Sequence, residues 1–431
     1  MFRKSITFVL CSAAALASLE DACAGVVVVD PQGMPNGRAL LQAALNGAAD
    51  GDVLLVRAGT YTEMLPTAPV TVSGKGVTLI KDSAGPVFLG HLAISNVPAG
   101  STFVVRGFRF QEGPITVGLG LGIGSIPPML SVQSSPGTVW IEDCEVRGAP
   151  GFLSGGFFPL HSHGAGAIDV RQTGGLTIAR TSAYGGAGIG SSVSKQISNG
   201  GTALSVDGVD TYVVSSFLEG GPTGSSLTVN APVGGHGLRA QGSTLTVHGS
   251  GLVGGDAFGS NAFPPLAGAG LFLVNDAATL RDDVVVAGTN WIVPGGGHTA
   301  ITNLGGTVST SSTPSRDVEV SSPGPVRTGK PFAIFLYGEP GDVVVLFAGL
   351  PAAPLASPAF EGAFVFGLSA FVGPIAVGAI GGSGQSILQF PAAPALPAGL
   401  DEMTLVIQAA VASGAPTLAG ASMFVQVGPN F

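Results

Sequence analysis

The sequence predicts an all-β chain, a parallel solenoid of stacked coils followed by a β-sandwich-like domain. Three observations carry this. Glycine supplies 69 of 431 residues, roughly twice ordinary usage. Charged side chains are 10% of the chain, against ~25% in an average soluble domain. Two strand-like segments also recur together at one shared spacing. The same figures exclude other classes. A coiled coil or helical bundle needs Ala, Glu, Lys and Leu at helical spacing. Collagen needs glycine at every third position. A disordered acidic chain would not be 45% hydrophobic. A net charge of -9 argues against a nucleic-acid partner.

The chain opens like an export signal. Arg3 and Lys4 precede an uncharged stretch from Ser5 to Ser18, and Ala22-Cys23-Ala24 is an A-x-A cleavage site. The expected division is a signal peptide over 1–24, a solenoid over 25–310, a linker over 311–330 and a sandwich over 331–431. The apolar run is short of the ~20 residues that span a bilayer. Neither Cys11 nor Cys23 has a lipoprotein context. Cleavage after Ala24 would leave Cys144 alone, so no internal disulfide framework is expected. Cys144 reads as a small buried apolar residue.

After the signal comes the strand-like run Val26-Val27-Val28-Val29. Gly37 to Ala48 then places Leu40, Leu41, Ala44, Leu45 and Ala48 on one helical face. Asp50-Gly51-Asp52 is a turn. Strands follow at Val53–Val56, Val70–Val72 and Val77–Ile80, with Gly59-Thr60-Tyr61 between. The stretch LQAALNGAADGDVLLVRAGTYTE…VTVSGKGVTLI resembles the entry of secreted right-handed parallel β-helix proteins of the pectate-lyase and pectin-esterase type. That resemblance spans about 60 residues and implies a right-handed parallel β-helix with an N-terminal cap helix. The cap has a physical purpose, because a solenoid end exposes an apolar stack.

The repeat is the strongest signal. Five segments align on the glycines 148, 185, 221, 254 and 288, which lie 37, 36, 33 and 34 residues apart. A second set carries Ile168, Leu204, Leu238 and Leu271, which lie 36, 34 and 33 apart. Two strands at one period are two faces of a coil. Alternation turns Ile168, Val170, Leu176 and Ile178 inward and Asp169 and Thr177 outward. Glycine is expected at the corners, for positive φ or close backbone approach. Four loops, 149–163, 186–199, 222–233 and 255–267, share one phase of the repeat and should leave one side of the solenoid.

Beyond Ser311-Ser-Thr-Pro-Ser315 and Ser321-Ser-Pro-Gly-Pro325 the pattern changes. Short apolar segments from Phe332 to Val427 are separated by Gly and Pro turns, as in a small antiparallel sandwich. The region resembles C-terminal extensions of some secreted bacterial β-helix proteins. Gly362 to Leu400 carries no charge. Gly373-Pro374 breaks it, so buried strands are expected there rather than a membrane span.

Enzyme chemistry has little material. Asp143 and Arg180, and Arg171 and Asp207, are spaced to face each other on adjacent coils. They read first as surface ion pairs. Gly234-Gly235-His236-Gly237 resembles the Gly-Gly-His-Gly motif of polygalacturonases, but that family's Asn-Thr-Asp, Asp-Asp and Arg-Ile-Lys elements are missing from the corresponding places. Gly59-Thr-Tyr-Thr-Glu63 matches the entry of pectin esterases, whose later catalytic acids are missing as well. If the chain were a polysaccharide lyase or hydrolase, its candidates would be Asp169, Arg171, Asp207, His236 and Arg239. A lyase would also call for Ca²⁺ held by clustered acids, for which there is no motif. No metal site or other cofactor is expected. His161-Ser-His163 lacks the further ligands a metal wants. With Phe157 and Phe158 these histidines are the ligand-binding candidates, since rings on one side could stack on sugars. The expected function is non-catalytic: a secreted or cell-surface protein binding polysaccharide or cell-surface glycan. A diverged lyase or hydrolase on acidic polysaccharide, and a structural envelope component, are the alternatives.

Overall fold

A computed structural model describes residues 25–62, 69–82, 84–111, 126–151, 163–189, 199–224, 232–258, 265–291, 298–321, 324–357, 360–412 and 416–431. Its regular secondary structure is nearly all strand, a parallel β-solenoid with an antiparallel region at its C-terminal side. The expected fold class is what the chain adopts.

Each coil has three faces. The first face stacks Val70–Ser73, Leu92–Ser95, the starts of Leu130–Glu142 and Ile168–Ala179, then Leu204–Asp207, Leu238–Gln241, Leu271–Val274 and Ile301–Leu304. The second stacks Val53–Val56, Thr78–Lys81, Thr102–Arg106, the ends of those two long strands, Thr211–Val214, Thr244–His248, Ala277–Arg281 and Thr307–Ser311. The third runs from Gly59–Tyr61 to Val284–Val286. Inward side chains form one continuous core. Leu92, Leu130, Ile168, Leu204, Leu238 and Leu271 make one of its columns, each at most 1% exposed. Full burial of such a side chain is worth about 2 kcal/mol. Helix Arg38–Gly47 caps the entry by laying Leu41 and Leu45 on the core.

The register corrects the repeat in two places. Val139, Leu176, Thr211, Leu245 and Ala278 are the true partners. Aligning Gly221 and Gly288 with Gly148 slips those two segments by one residue. Gly220-Gly221 and Ala287-Gly288 both offer small residues, so the glycine alone does not fix the frame. A one-residue slip inverts the faces. Val213 therefore points into the core and Tyr212 points out.

Of the two roles expected of glycine, close backbone approach outweighs positive φ. At the corner between second and third faces, positive φ is taken by Asp143, Arg180, Ser215 and Asp282, with glycine only at Gly107 and Gly249. The following residue braces this corner through a ladder. The Thr181 amide donates to Ser216 Oγ (3.1 Å), the Ser216 amide to Ser250 Oγ (3.2 Å) and the Ser250 amide to Asp283 Oδ1 (2.8 Å). Most of the paired glycines instead line a seam at the base of the loops. There the chain leaving the third face interleaves with the chain entering the first. Amides of Gly201, Gly221, Gly235 and Gly255 donate to carbonyls of Gly186, Gly201, Gly221 and Gly235 at 2.8–2.9 Å. A Cβ at Gly201 would lie 1.9 Å from the Ala165 carbonyl oxygen, and one at Gly235 1.8 Å from that of Gly201. Only glycine fits two backbones this close.

The C-terminal region forms two sheets. Asp317–Val320, Phe332–Tyr337 and Gln385–Phe390 make one. Val326–Arg327, Thr417–Val427, Glu402–Ala412, Val343–Ala356 and Ala363–Ala379 make the other. Asp317–Val320 and Val326–Arg327 lie within the stretch read as a linker. The larger sheet is covered on both sides. One face packs on the smaller sheet through Ile334, Leu336, Leu346 and Val411. The other lays Val406, Leu418, Met423 and Val425 on Val53, Ile80, Trp140 and Tyr212 of the solenoid's second face. Every residue of Thr417–Val427 is consequently buried. The charge-free stretch from Gly362 supplies a 17-residue strand hairpinned to Val343–Ala356. The far end of this hairpin crosses the solenoid at Gly175, where a Cβ would meet Ala353 Cα at 2.8 Å. No helix among the described residues is long and apolar enough to cross a membrane.

Asp143 and Arg180 do meet across coils, at 3.2 Å. The pair is not on the surface. It belongs to a charge network sealed between solenoid and sandwich. Glu142, fully buried, pairs with Arg106 at 3.4 Å and with Arg180. Arg106 also holds Asp143 at 3.0 Å, and Arg180 reaches Asp317 at 3.3 Å. Trp140 Nε1, Ser422 Oγ and the Met423 amide donate to the remaining positions of the Glu142 carboxylate at 2.7–2.9 Å. Burial works to lower the Arg180 pKa. Glu142, Asp317 and Asp143 outweigh it and hold the guanidinium above its usual range.

Candidate functional site

The outward side chains of the first face form an open strip along the solenoid axis. Alternation selects them: Ile168 and Val170 go in, so Asp169 and Arg171 go out. Strand register then builds two columns. One stacks Asp169, Ser205, Arg239 and Phe272; the other stacks Arg171, Asp207, Gln241 and Val274. Asp169, Arg171, Asp207 and Arg239 are thereby brought together. His236 joins them at the edge, just ahead of Leu238–Gln241.

Arg171 and Asp207 are register partners, as their spacing implies. The ion pair forms elsewhere. Arg171 Nε and NH2 reach Asp169 Oδ1 and Oδ2 at 3.2 and 2.9 Å, two residues back on the same strand. Such a fork satisfies guanidinium and carboxylate together. The hydrogen bond to Asp169, then the charge of that residue, hold Arg171 above its ordinary pKa, with a smaller contribution from Asp207. An arginine so held is poorly suited to abstract a proton.

His236 is mostly buried. Its Nδ1 accepts the Ala269 amide of the next coil at 3.1 Å. Its ring stacks on Phe272 with centroids 4.5 Å apart and meets His298 edge-on at 5.3 Å. Burial first, then His298 and Arg239, push its pKa down to about 4. The imidazole is therefore neutral at pH 7, with Nδ1 occupied, and staples two coils together. Two coils before it, His163 makes the equivalent bond and accepts the Asn199 amide at 3.0 Å. Phe157, Phe158 and His161 lie outside the described residues. Among the described residues no group of three or more His, Cys, Asp or Glu could hold a metal ion. Cys144 is buried, and burial pushes its thiol up to about 12.

Phe272, His298, Gln241 and Ser205 were not singled out from the sequence, yet they complete the strip. A usable signal was present, since Phe272 stands one repeat beyond Arg239. The strip carries two carboxylates and two guanidiniums, a net charge of zero. It adds amide and hydroxyl groups and one apolar ring surface. Such a surface can hydrogen-bond a polyhydroxyl chain and stack against its apolar faces. No protein-family model matches this chain, and no curated protein matches it.

Proposed function

We propose that this is an exported β-helix protein of the pectate-lyase-like kind that binds glycan or a similar surface polymer without cleaving it. The observation that carries the reading is the strip itself. The solenoid repeat sets polar side chains side by side on successive coils, about 4.8 Å apart, so an extended polymer lying along the axis meets a new row at each coil. The internal pairing of Asp169 with Arg171 favours binding over acid–base work, because each group is already engaged by the other. Export rests on the Arg3, Lys4 and Ala22-Cys23-Ala24 pattern. The test is to incubate the chain with a broad panel of acidic and neutral polysaccharides and follow both retention and polymer length. Retention with unchanged length supports the reading, and any depolymerisation overturns it.

One observation favours the alternative of a diverged glycoside hydrolase. Asp169 and Asp207 are diagonal neighbours on adjacent parallel coils, with Cα atoms about 8 Å apart by strand spacing and rise. An inverting acid pair needs a comparable gap. Loss of cleavage in both Asp169→Asn and Asp207→Asn would establish it.

A further inference from the structure

Gly25 is the first described residue, and its backbone is held on both sides. Its carbonyl accepts the Val53 amide at 2.9 Å. Strand Val26–Val29 then pairs with Val53–Val56, turning Val27 and Val29 to the core and packing Val26 against the cluster beneath the sandwich. The Gly25 nitrogen donates to Asp52 Oδ1 at 2.7 Å. Asp52 is buried, only 8% exposed. Its Oδ2 accepts the Ala49 amide, also at 2.7 Å. Among the described residues no Lys, Arg or His pairs with it. Lys75 is occupied by the carbonyls of Leu45, Asn46 and Ala48. Asp50, on the same turn, adds negative charge and is engaged by the Gly76 amide and the Ser101 hydroxyl. The sandwich brings a further carboxyl to this corner. Burial, and to a smaller extent the charge of Asp52, push Glu402 up to about 7. A buried carboxylate ordinarily has a cationic partner, and here three acids meet without one.

The sequence can supply that cation. The Ala22-Cys23-Ala24 pattern directs cleavage to the bond between Ala24 and Gly25. Hydrolysis there gives the hydroxyl of water to the Ala24 carbonyl carbon and its proton to the Gly25 nitrogen. The amide becomes a primary amine, which takes up a second proton from solvent at neutral pH. We propose that Asp52 is the receptor for the α-ammonium of Gly25, so that removal of residues 1–24 completes a buried ion pair that fixes the first coil beneath the sandwich. The proposal rests on the export reading. A neutral N–H donor at 2.7 Å is replaced by a charged one, and charge-assisted hydrogen bonds are roughly twice as strong.

Two chains test this, one beginning at Gly25 and one retaining Ala24, each released from an N-terminal tag without other residues. The retained alanine returns the Gly25 nitrogen to an amide and moves the charge away from Asp52. The chain beginning at Gly25 should melt about 2 °C or more above the other at pH 7. Pairing raises the amine above its unfolded value of about 7.7–8.0. Its contribution is therefore full below that value and lost as the pH rises through the folded one, so the gap should shrink steadily above about pH 8. Asp52→Asn should abolish the gap between the two chains. Equal melting temperatures overturn the proposal. So does a gap that is unchanged from pH 7 to 10, or one that survives Asp52→Asn. The intact mass of the full chain after export by a bacterial host separates this idea from the reading beneath it. Retention of residues 1–24 overturns export and the ion pair together. Gly25 as the first residue, with equal melting temperatures, overturns the ion pair alone.

Discussion

Glu142 of the solenoid accepts a 2.8 Å hydrogen bond from Ser422 of the sandwich, 280 residues away in sequence. With Arg106 and Arg180 on its other sides, this carboxylate ties the two halves of the molecule across an otherwise apolar interface. Breaking a buried ion pair by removing one partner costs about 3–5 kcal/mol, since the surviving charges stay buried. Glu142→Ala should lower the urea-unfolding free energy by that order. Replacing Ser422 by Ala should cost less, about 1 kcal/mol. Equal, small losses in both would show that the network does not hold the halves together.

The glycine seam makes a sharper demand. Gly201→Ala places a methyl 1.9 Å from the Ala165 carbonyl oxygen, which no rotamer relieves. It should destabilise by about 3 kcal/mol or prevent folding, at or above the upper end of ordinary overpacking. Gly47→Ala, on the cap helix with open space around it, should be neutral or stabilising by up to about 1 kcal/mol. Thermal melts of the two variants side by side settle the point. A Gly201→Ala protein as stable as the parent would show that the seam does not require glycine.

Two buried acids and two buried histidines should pull stability in opposite directions as pH changes. Burial pushes Asp283 and Glu402 up to about 7, and the Asp52 charge adds to the rise at Glu402. The folded state holds those protons while the unfolded chain releases them near pH 4, so this contribution to stability is lost as pH rises from about 4 to 7. Burial pushes His236 down to about 4 and His248 down to about 3. The unfolded chain binds their protons below about pH 6.5 and the folded state does not, so this contribution grows over much of the same window. The difference in melting temperature between Glu402→Gln and the parent isolates the acid, and it should rise in the variant's favour from pH 4 to 8. A difference that stays constant or falls contradicts the assignment of Glu402.

His236 is expected to serve stability. His236→Ala leaves the Ala269 amide without its acceptor, at a cost of about 1–3 kcal/mol, and removes the ring from Phe272. Glycan retention should keep its pH profile between pH 5 and 8, because the imidazole is neutral throughout. A new pH dependence in the variant, read by retention assays, would instead make His236 a functional acid or base.

Much of this molecule was legible in the sequence. The 33–36-residue spacing of Ile168, Leu204, Leu238 and Leu271 is the register of the first face. Leu41 and Leu45 are the cap. Periodicity shows a strand's inner side wherever the outer side is polar. It failed on the second face, where Trp140, Tyr212 and Val214 are apolar outward because the sandwich covers them. Nothing local distinguishes a residue buried in the core from one buried under another domain. Asp143 and Arg180 read as a surface pair for the same reason. In the seam glycine serves close backbone approach, while Asp143, Arg180, Ser215 and Asp282 hold the positive φ of one corner, a division of roles that composition alone does not reveal. On the strip, spacing fixed which residues are neighbours but not which of them bond. Asp207 stood opposite Arg171, and Asp169 took it.

Binding of an intact glycan by the first-face strip is the proposal on which the functional reading stands. It is tested most directly by the affinity of the chain for a retained polysaccharide, measured beside Asp207→Ala and Arg239→Ala. Both side chains point away from the core, so the fold should survive their loss. Affinity should drop by about tenfold or more in each variant, as for truncated contact residues at a binding surface, with polymer length unchanged throughout. Undiminished affinity in both, or shortened polymer with the parent protein, would contradict it.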